Sequence, residues 1–350
     1  MSGAAPETLR RAMTHSNYHE VSGANPVACG REFGRLFGAT IRDYIEEERH
    51  GKTWKRRRQH ADVLLNHTAR SFPHYVEELQ AYADAARLEL LDVWTMSVED
   101  ELDGEGPEKC TTVVTNGGKL IAHNEDWDAD SADDICIVKR QCGNTTTLEL
   151  YYYGTPLGRT ALSICSLGYV QAINSLSHSD RQAGVPKIVV ARALSEVSEV
   201  RGEIDRLLAI PRSSGFAHTL VHRSGQVTSV ECTATQHMVS WPKTPFVHTN
   251  HTLHPSLAEF VCEPDGRSTF KRYDTACRLA RAAMGEADLI RLTSDATSGK
   301  TESVLNQNTI ARAVIDLDRR VVKFWLKRES KKGWIDYPID FLFDTGVPSA

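Results

Sequence analysis

From Asn25 to about Glu101 the apolar residues recur at helical spacing. Phe33, Leu36, Phe37, Ile41, Tyr44 and Ile45 make one stripe, and Val76, Leu79, Tyr82 and Ala86 another. This third of the chain is therefore predicted to be helical, as far as the polar stretch LDGEGPEK (Leu102 to Lys109), whose Gly and Pro mark a surface loop. At Cys110 the period changes to two. CTTVVT, Asn116-Gly117-Gly118 and KLIAHN read as a hairpin with the Asn-Gly signal of a tight primed turn. Further strands are predicted at Asp134 to Arg140, Thr146 to Tyr153, Thr160 to Cys165 and Tyr169 to Asn174.

Pro186 opens a second helical block through Ala209, at a position where its missing N–H costs nothing. Strands return at Phe216 to His222 and Gln226 to Cys232, a third helix spans Ser268 to Met284, and Thr309 to Asp316 and Arg320 to Leu326 close the chain as a hairpin. Blocks of strands alternating with blocks of helices argue for an antiparallel α+β layering, and no G-x-G-x-x-G or P-loop points to a nucleotide fold. A four-layer αββα sandwich fits this order. On the order alone, other α+β folds fit equally well.

Composition narrows the function classes. The 350 residues are 41% hydrophobic and 25% charged, as in ordinary globular chains of one large or two average domains. Lys plus Arg total 41 against 46 Asp plus Glu, a net charge of −5, so nucleic acid is not an expected partner. The basic run Lys52 to Arg58 reads as a solvated helix face. The N-terminus lacks an apolar core of the signal-peptide kind and no later run suits a membrane span, so a cytoplasmic protein with no membrane partner is expected. Eight cysteines occur without a C-x-x-C pair, which suggests mostly buried thiols.

Context singles out one of them. Cys110 stands where the polar loop becomes a strand and is followed by Thr111 and Thr112. The far end of its hairpin, His123-Asn124-Glu125-Asp126-Trp127-Asp128, returns beside it, so Asp126 is expected close to Cys110. Asp126, Asp128 and Asp130 match the first calcium-loop positions, but Ser131 and Ile137 occupy the places of the required Gly and Glu. His248, His251 and His254 in FVHTNHTLHP lack the helical H-x-x-x-H arrangement and a further ligand for zinc. A metal is not expected.

CTTVVTNGGKLIAHNEDWD, LGYVQAINSLS and VHTNH, in this order, resemble the acyl-coenzyme A:6-aminopenicillanate acyltransferases and β-alanyl-dopamine hydrolases, cysteine members of the N-terminal-nucleophile (Ntn) hydrolases. GREFGRLFGATI and TIARAVIDLDRRVVKFWL resemble that family's helical N-terminal segment and closing hairpin, so the likeness covers most of the chain. Acid ceramidase, N-acylethanolamine amidase and the bile-salt hydrolases are more distantly similar. The resemblance implies the αββα fold as one structural domain, made of a helical segment 1–109 and a main part 110–350 that stay associated after the chain cuts itself between Lys109 and Cys110. It implies Cys110 as nucleophile, Asp126 as the residue that orients it, Asn174 as a residue lining the site and Asn250 in the oxyanion hole. Asn124 falls at a motif asparagine, and with Thr111 and His251 it is placed on the substrate side. Many relatives have Gly where this chain has Lys109. The distant branches have Arg where it has His123, which removes a fixed charge and the grounds for expecting lipid or bile-type substrates.

The implied chemistry needs no cofactor. A freed α-amino group takes the thiol proton, the thiolate attacks an amide or thioester carbonyl, and water or an acceptor amine resolves the S-acyl enzyme. The expected partners are a small acyl amide or acyl thioester and an acceptor amine, with a homo-oligomer left open. Two other readings stand beside this one: a non-catalytic small-molecule binder on the same fold, and a histidine-ligated metal hydrolase.

Overall fold

The structure, a computed structural model, describes residues 14–103, 110–152, 157, 159–260 and 268–344. After a first strand, β1 (Tyr18–Gly23), the helical third begins as the stripes predict. Helix α1 (Pro26–Arg49) starts at Asn25, whose side chain accepts from the backbone nitrogen of Ala28 at 2.9 Å. Its Phe33, Phe37, Ile41 and Ile45 are buried, each such side chain contributing ~1.5–3 kcal/mol. A second stripe, Gly30, Gly34 and Gly38, lies against α3 (Pro73–Ala86) so closely that a Cβ there would sit 2.1, 2.4 and 2.7 Å from Glu78, Tyr82 and Ala86. Helices α2 (Trp54–Ser71), α4 (Leu90–Ser97) and α5 (Glu99–Asp103) complete the layer. The basic run is not a wholly solvated face: Arg57 is buried and pairs with Glu48 and Glu99, and Arg58 pairs with Glu89 and Asp92. These cations hold helices to one another.

The hairpin at Cys110 forms β2 (Thr111–Thr115) and β3 (Leu120–Asp126). Its connection is longer than a two-residue primed turn. Thr115 pairs with Leu120, and Asn116 to Lys119 form the loop, with Asn116 and Gly117 both at positive φ (52° and 63°). Strands β4 (Ile135–Cys142), β5 (Thr145–Tyr152), β6 (Thr160–Cys165) and β7 (Tyr169–Ser175) follow. The helical block after Pro186 is two helices, α6 (Lys187–Ser195) and α7 (Val200–Leu208). They separate where Ser198 gives both its backbone N–H and its hydroxyl to Glu203, each at 2.8 Å, which ties the chain ahead of α7 to that helix's first turn.

Next come β8 (Phe216–His222), β9 (Val227–Cys232), β10 (His237–Ser240), β11 (Phe246–His248) and α8 (Ser268–Leu279). Helix α8 stops before Met284 because Asn116 grips that residue's backbone on both sides at 2.8 Å, and a further helix not anticipated, α9 (Glu286–Thr293), then begins. β12 (Thr309–Asp316), β13 (Val321–Leu326) and a short edge strand, β14 (Ile335–Pro338), end the fold.

Two sheets result, ordered β1-β4-β5-β6-β7-β8-β9-β10 and β11-β2-β3-β12-β13-β14. All pairs are antiparallel except β1 with β4. Alternation along the strands feeds three cores. Val138, Tyr151 and Leu220 face the first helical layer; Ile137, Leu150, Ile121 and Ile315 fill the space between the sheets; Val113, Ala122 and Val314 face α8 and α9. The architecture is the four-layer αββα sandwich. Arg140 of β4 reaches Glu78 of α3 and Glu149, and Arg192 of α6 reaches Glu78 and Glu196, so buried charges join the N-terminal helices to the sheet. Ahead of β1, Ser16 and Asn17 donate to Glu329, beyond β13 of the other sheet.

Candidate active site

Register assembles the site. Thr111 pairs with Asn124 and Thr112 with His123, so continuing the ladder sets Glu125 opposite Cys110. On the other side of β2, His248 pairs with Thr112, which carries Asn250 to the level of Cys110. Cys110 thus stands between Glu125 and Asn250. Its thiol is 3.2 Å from Glu125 Oε2, and its backbone nitrogen donates to Asn250 Oδ1 at 2.8 Å. The sequence placed Asp126 near Cys110; the residue facing the thiol is Glu125.

Strand alternation divides the remaining groups between two faces. Cys110, Thr112, His123 and Glu125 share the face toward the other sheet, where Thr112 donates to Asn174 Oδ1 at 2.8 Å. His123 Nε2 lies 3.1 Å from Glu125 Oε2 and its Nδ1 2.9 Å from Thr112 Oγ1. Tyr152 donates to Glu125 Oε1 at 2.5 Å. Asn174 is fully buried and its Nδ2 has no hydrogen-bond partner among the described residues.

The opposite face carries a buried cation. Arg272 of α8, with no exposed surface, donates to the Cys110 carbonyl (2.6 Å), Thr111 Oγ1 (2.9 Å) and Asn250 Oδ1 (2.8 Å). Burial lowers its pKa, against the opposing pull of Asp126 and Cys110. Asp126 accepts from Asn306 and Thr309, both at 2.6 Å, and burial pushes its carboxyl up to about 6 against Arg272 and these donors. Asn124 donates to the carbonyls of Thr293 and Val304 at 3.0 and 2.9 Å, so its amide joins the strand to the outer helical layer.

The Asn250 loop is held by Glu231 of β9. This buried carboxylate accepts from Leu253 N (2.6 Å), His254 N (3.0 Å) and Thr252 Oγ1 (2.8 Å) and faces His248 Nε2 at 2.9 Å. Burial raises its pKa, but these hydrogen bonds outweigh that and bring it down to about 2. His251 packs on Phe270 and Tyr273 and its Nδ1 faces Thr249 and Thr269, while burial lowers it to about 4. His254 pairs with Ser256. The three loop histidines therefore point to different partners. Asp126 is likewise tied to Asn306 and Thr309 while Asp128 and Asp130 are exposed, so the acidic run does not converge either. Among the described residues, the one trio of ligand-type atoms gathered within 4.8 Å is Cys110, His123 and Glu125. Its 3.1 and 3.2 Å separations are hydrogen-bond distances.

Cys110 and Glu125 line a narrow, open cleft of about 40 Å³. Tyr152 and Arg159 line its polar side, and Ile173, Ile188 and Phe216 its apolar side. A nucleophilic thiol at the base of a half-apolar cleft, with amide groups beside it, suits attack on an acyl carbonyl. The sequence profile of the family described as acyl-coenzyme A:6-aminopenicillanic acid acyl-transferase matches residues 113–331, from just after Cys110 through the closing hairpin. The chain belongs to this family. It is accordingly an enzyme of the acyl-transfer type.

Solved structures similar to this acyltransferase-family chain include a mutant of conjugated bile acid hydrolase from Clostridium perfringens. It is 11% identical, with 67% of this chain and 92% of that one covered at a TM-score of 0.42. Penicillin V acylase from Agrobacterium tumefaciens is 14% identical, with 63% and 83% covered and a TM-score of 0.40. No curated protein matches.

Sequence reasoning brought forward Cys110, Asn174 and Asn250, which the fold gathers within one site, while Lys109 lies outside the described residues. Glu125, Tyr152, Arg272 and Glu231 were not anticipated. For Glu125 the signal was its place in the pairing register, and for Glu231 a lone charge in the apolar strand VTSVEC. Arg272 carries no signal apart from its helix.

Proposed function

We propose that this protein is a self-processing cysteine amidohydrolase or acyltransferase that cuts its chain between Lys109 and Cys110 and then acts on small N-acyl amines, amides or thioesters. The observation that carries this reading is the placement of Cys110. Its thiol opens on the cleft while its nitrogen is held by Asn250, at the start of the first strand of the hairpin. After the cut that nitrogen is an α-amino group with a pKa near ~8, able to accept the thiol proton.

The thiolate then attacks the substrate carbonyl carbon, and Asn250 Nδ2, which gives one hydrogen to the carbonyl of the cleft residue Ser175 (3.1 Å), donates its other to the oxyanion. A preformed side-chain donor of this kind contributes ~3–4 kcal/mol. The carbonyl–heteroatom bond breaks, the proton passes to the departing amine or thiol, and the acyl group remains on Sγ. Water or an amine attacks the thioester and restores the thiol. Asp126 acts through Arg272, which its charge helps to keep protonated beside the Cys110 carbonyl. Segments 1–109 and 110–350 remain one body, consistent with the buried Arg140–Glu78 pair, and the protein acts in the cytoplasm.

Mass spectrometry tests the reading. The wild-type chain is expected as two pieces and Cys110→Ala as one. A reaction quenched during turnover is expected to carry the acyl mass on the peptide that begins at Cys110. An active protein that is wholly uncut, or an adduct on another cysteine, would overturn it.

A further inference from the structure

Cys110, Glu125, His123, Thr112 and Asn174 form one hydrogen-bonded row whose polarity can be followed atom by atom. Thr112 donates its hydroxyl proton to Asn174 Oδ1 at 2.8 Å, and its oxygen lies 2.9 Å from His123 Nδ1. The other ring nitrogen, Nε2, lies 3.1 Å from Glu125 Oε2, and two bare acceptors do not rest at that distance in a site where His123 is fully buried and Glu125 5% exposed. A proton lies between them. The same Oε2 is the atom that faces the Cys110 thiol at 3.2 Å, and Tyr152 fixes the other oxygen at 2.5 Å.

We propose that Glu125, held in place by His123 and Tyr152, is a second proton acceptor for the Cys110 thiol, one that does not need the α-amino group. The step balances. The S–H bond breaks, its proton moves to Glu125 Oε2 and the electron pair stays on Sγ. Thiol and carboxylate become thiolate and carboxylic acid with His123 unchanged, so the net charge of the buried trio is the same before and after. That matters because creating a net charge at such depth carries a large desolvation penalty. The surrounding charged groups fit this sign: Arg272 meets Cys110 from α8, with Asp126 behind it, and on the cleft side Arg159 stacks over Tyr152 and pairs with Asp100 and Glu99. A chain still intact before Cys110 has only an amide nitrogen there, which is no base. This trio supplies one, for the cut itself and for acyl transfer afterwards.

The inference rests on Cys110 as nucleophile and is tested apart from it. Alkylation of Cys110 by iodoacetamide is followed against pH, with cut and uncut chains separated by mass and the label read on the peptide containing Cys110. A thiol of ordinary acidity is ~1% thiolate at pH 6.5. The uncut wild-type chain is expected to react at least about tenfold faster than that fraction allows, and Glu125→Gln to lose the excess. Glu125→Asp, which keeps a carboxylate at this position, is expected to keep part of the excess, so that its loss in Glu125→Gln is not a failure to fold. Equal alkylation in wild type and Glu125→Gln, or a stoichiometric metal in the purified protein, would overturn the proposal while leaving Cys110 as nucleophile. A Cys110 that takes no label, with turnover intact, would overturn the function itself.

Discussion

Asn250 and Cys110 meet across the ends of β11 and β2, the side-chain oxygen of the first accepting from the backbone nitrogen of the second at 2.8 Å. One amide side chain therefore positions the residue that attacks and, through Nδ2, bonds the carbonyl of Ser175, which lines the cleft. Asn250→Ala is expected to lower turnover by ~10²-fold or more with the fold intact. Steady-state kinetics with a small N-acyl amine checks this, and a variant within about threefold of wild type would remove Asn250 from the role.

Arg272 ties that pair to α8 through three short hydrogen bonds and has no contact with water. Arg272→Met leaves the Cys110 carbonyl and Asn250 Oδ1 without this donor and Asp126 without the nearby cation, a change of the kind that costs ~3–5 kcal/mol. Arg272→Lys keeps the charge but not the fork and should fall between. Denaturant midpoints of the three proteins measure it. A methionine variant as stable as wild type would show that the helix does not need this anchor.

Glu231 sets an acid limit. Its folded pKa, about 2, lies below the ~4.3 of an unfolded glutamate, so the unfolded chain binds the proton more readily. Its contribution is full above about pH 5 and is lost as pH falls from about 4 toward 2, of the order of 2–3 kcal/mol in all. Urea melts between pH 3 and 6 should show the loss, and Glu231→Gln should flatten it and be less stable at pH 7. An unchanged slope in the variant would mean that other carboxylates set the acid limb.

The glycine stripe of α1 gives a paired test. At Gly34 a Cβ would meet the Tyr82 carbonyl at 2.4 Å, so Gly34→Ala must push α1 from α3 and is expected to cost ~1–3 kcal/mol. At Gly202, inside α7, nothing lies within 4 Å, so Gly202→Ala should be neutral or stabilise by up to ~1 kcal/mol. Thermal melts of the two variants shifting alike would contradict the packing argument.

Much of this arrangement was legible because it is written in periodicity. The α1 stripe, the Cys110 hairpin and the closing strands follow from spacing, and Asn174 and Asn250 stood out through short motifs in a fixed order. What stayed hidden depends on register and on tertiary placement. A hairpin shows that His123 to Asp126 return toward Cys110, but a one-residue difference decides whether Glu125 or Asp126 faces the thiol, and with it the face of every neighbour. Arg272 shares α8 with Lys271 and Arg278, and no local pattern tells which cation is buried. β1 is an edge strand whose partner β4 lies far away in sequence, and β14 is a short edge strand that returns to β13 only after the polar turn Lys327–Lys332, so neither has a tight hairpin to announce it.

The strand that opens the fold runs parallel to β4, and the residues just ahead of it are fastened to Glu329 beside the opposite sheet. Such a chain is buckled at its front end, like a belt passed over both layers. Severing it at the rear, before Cys110, would leave the buckle closed. Release of the leading piece would then have to wait for the sandwich to come apart, so the lifetime of a cut molecule should match that of its folded state rather than that of a docked peptide.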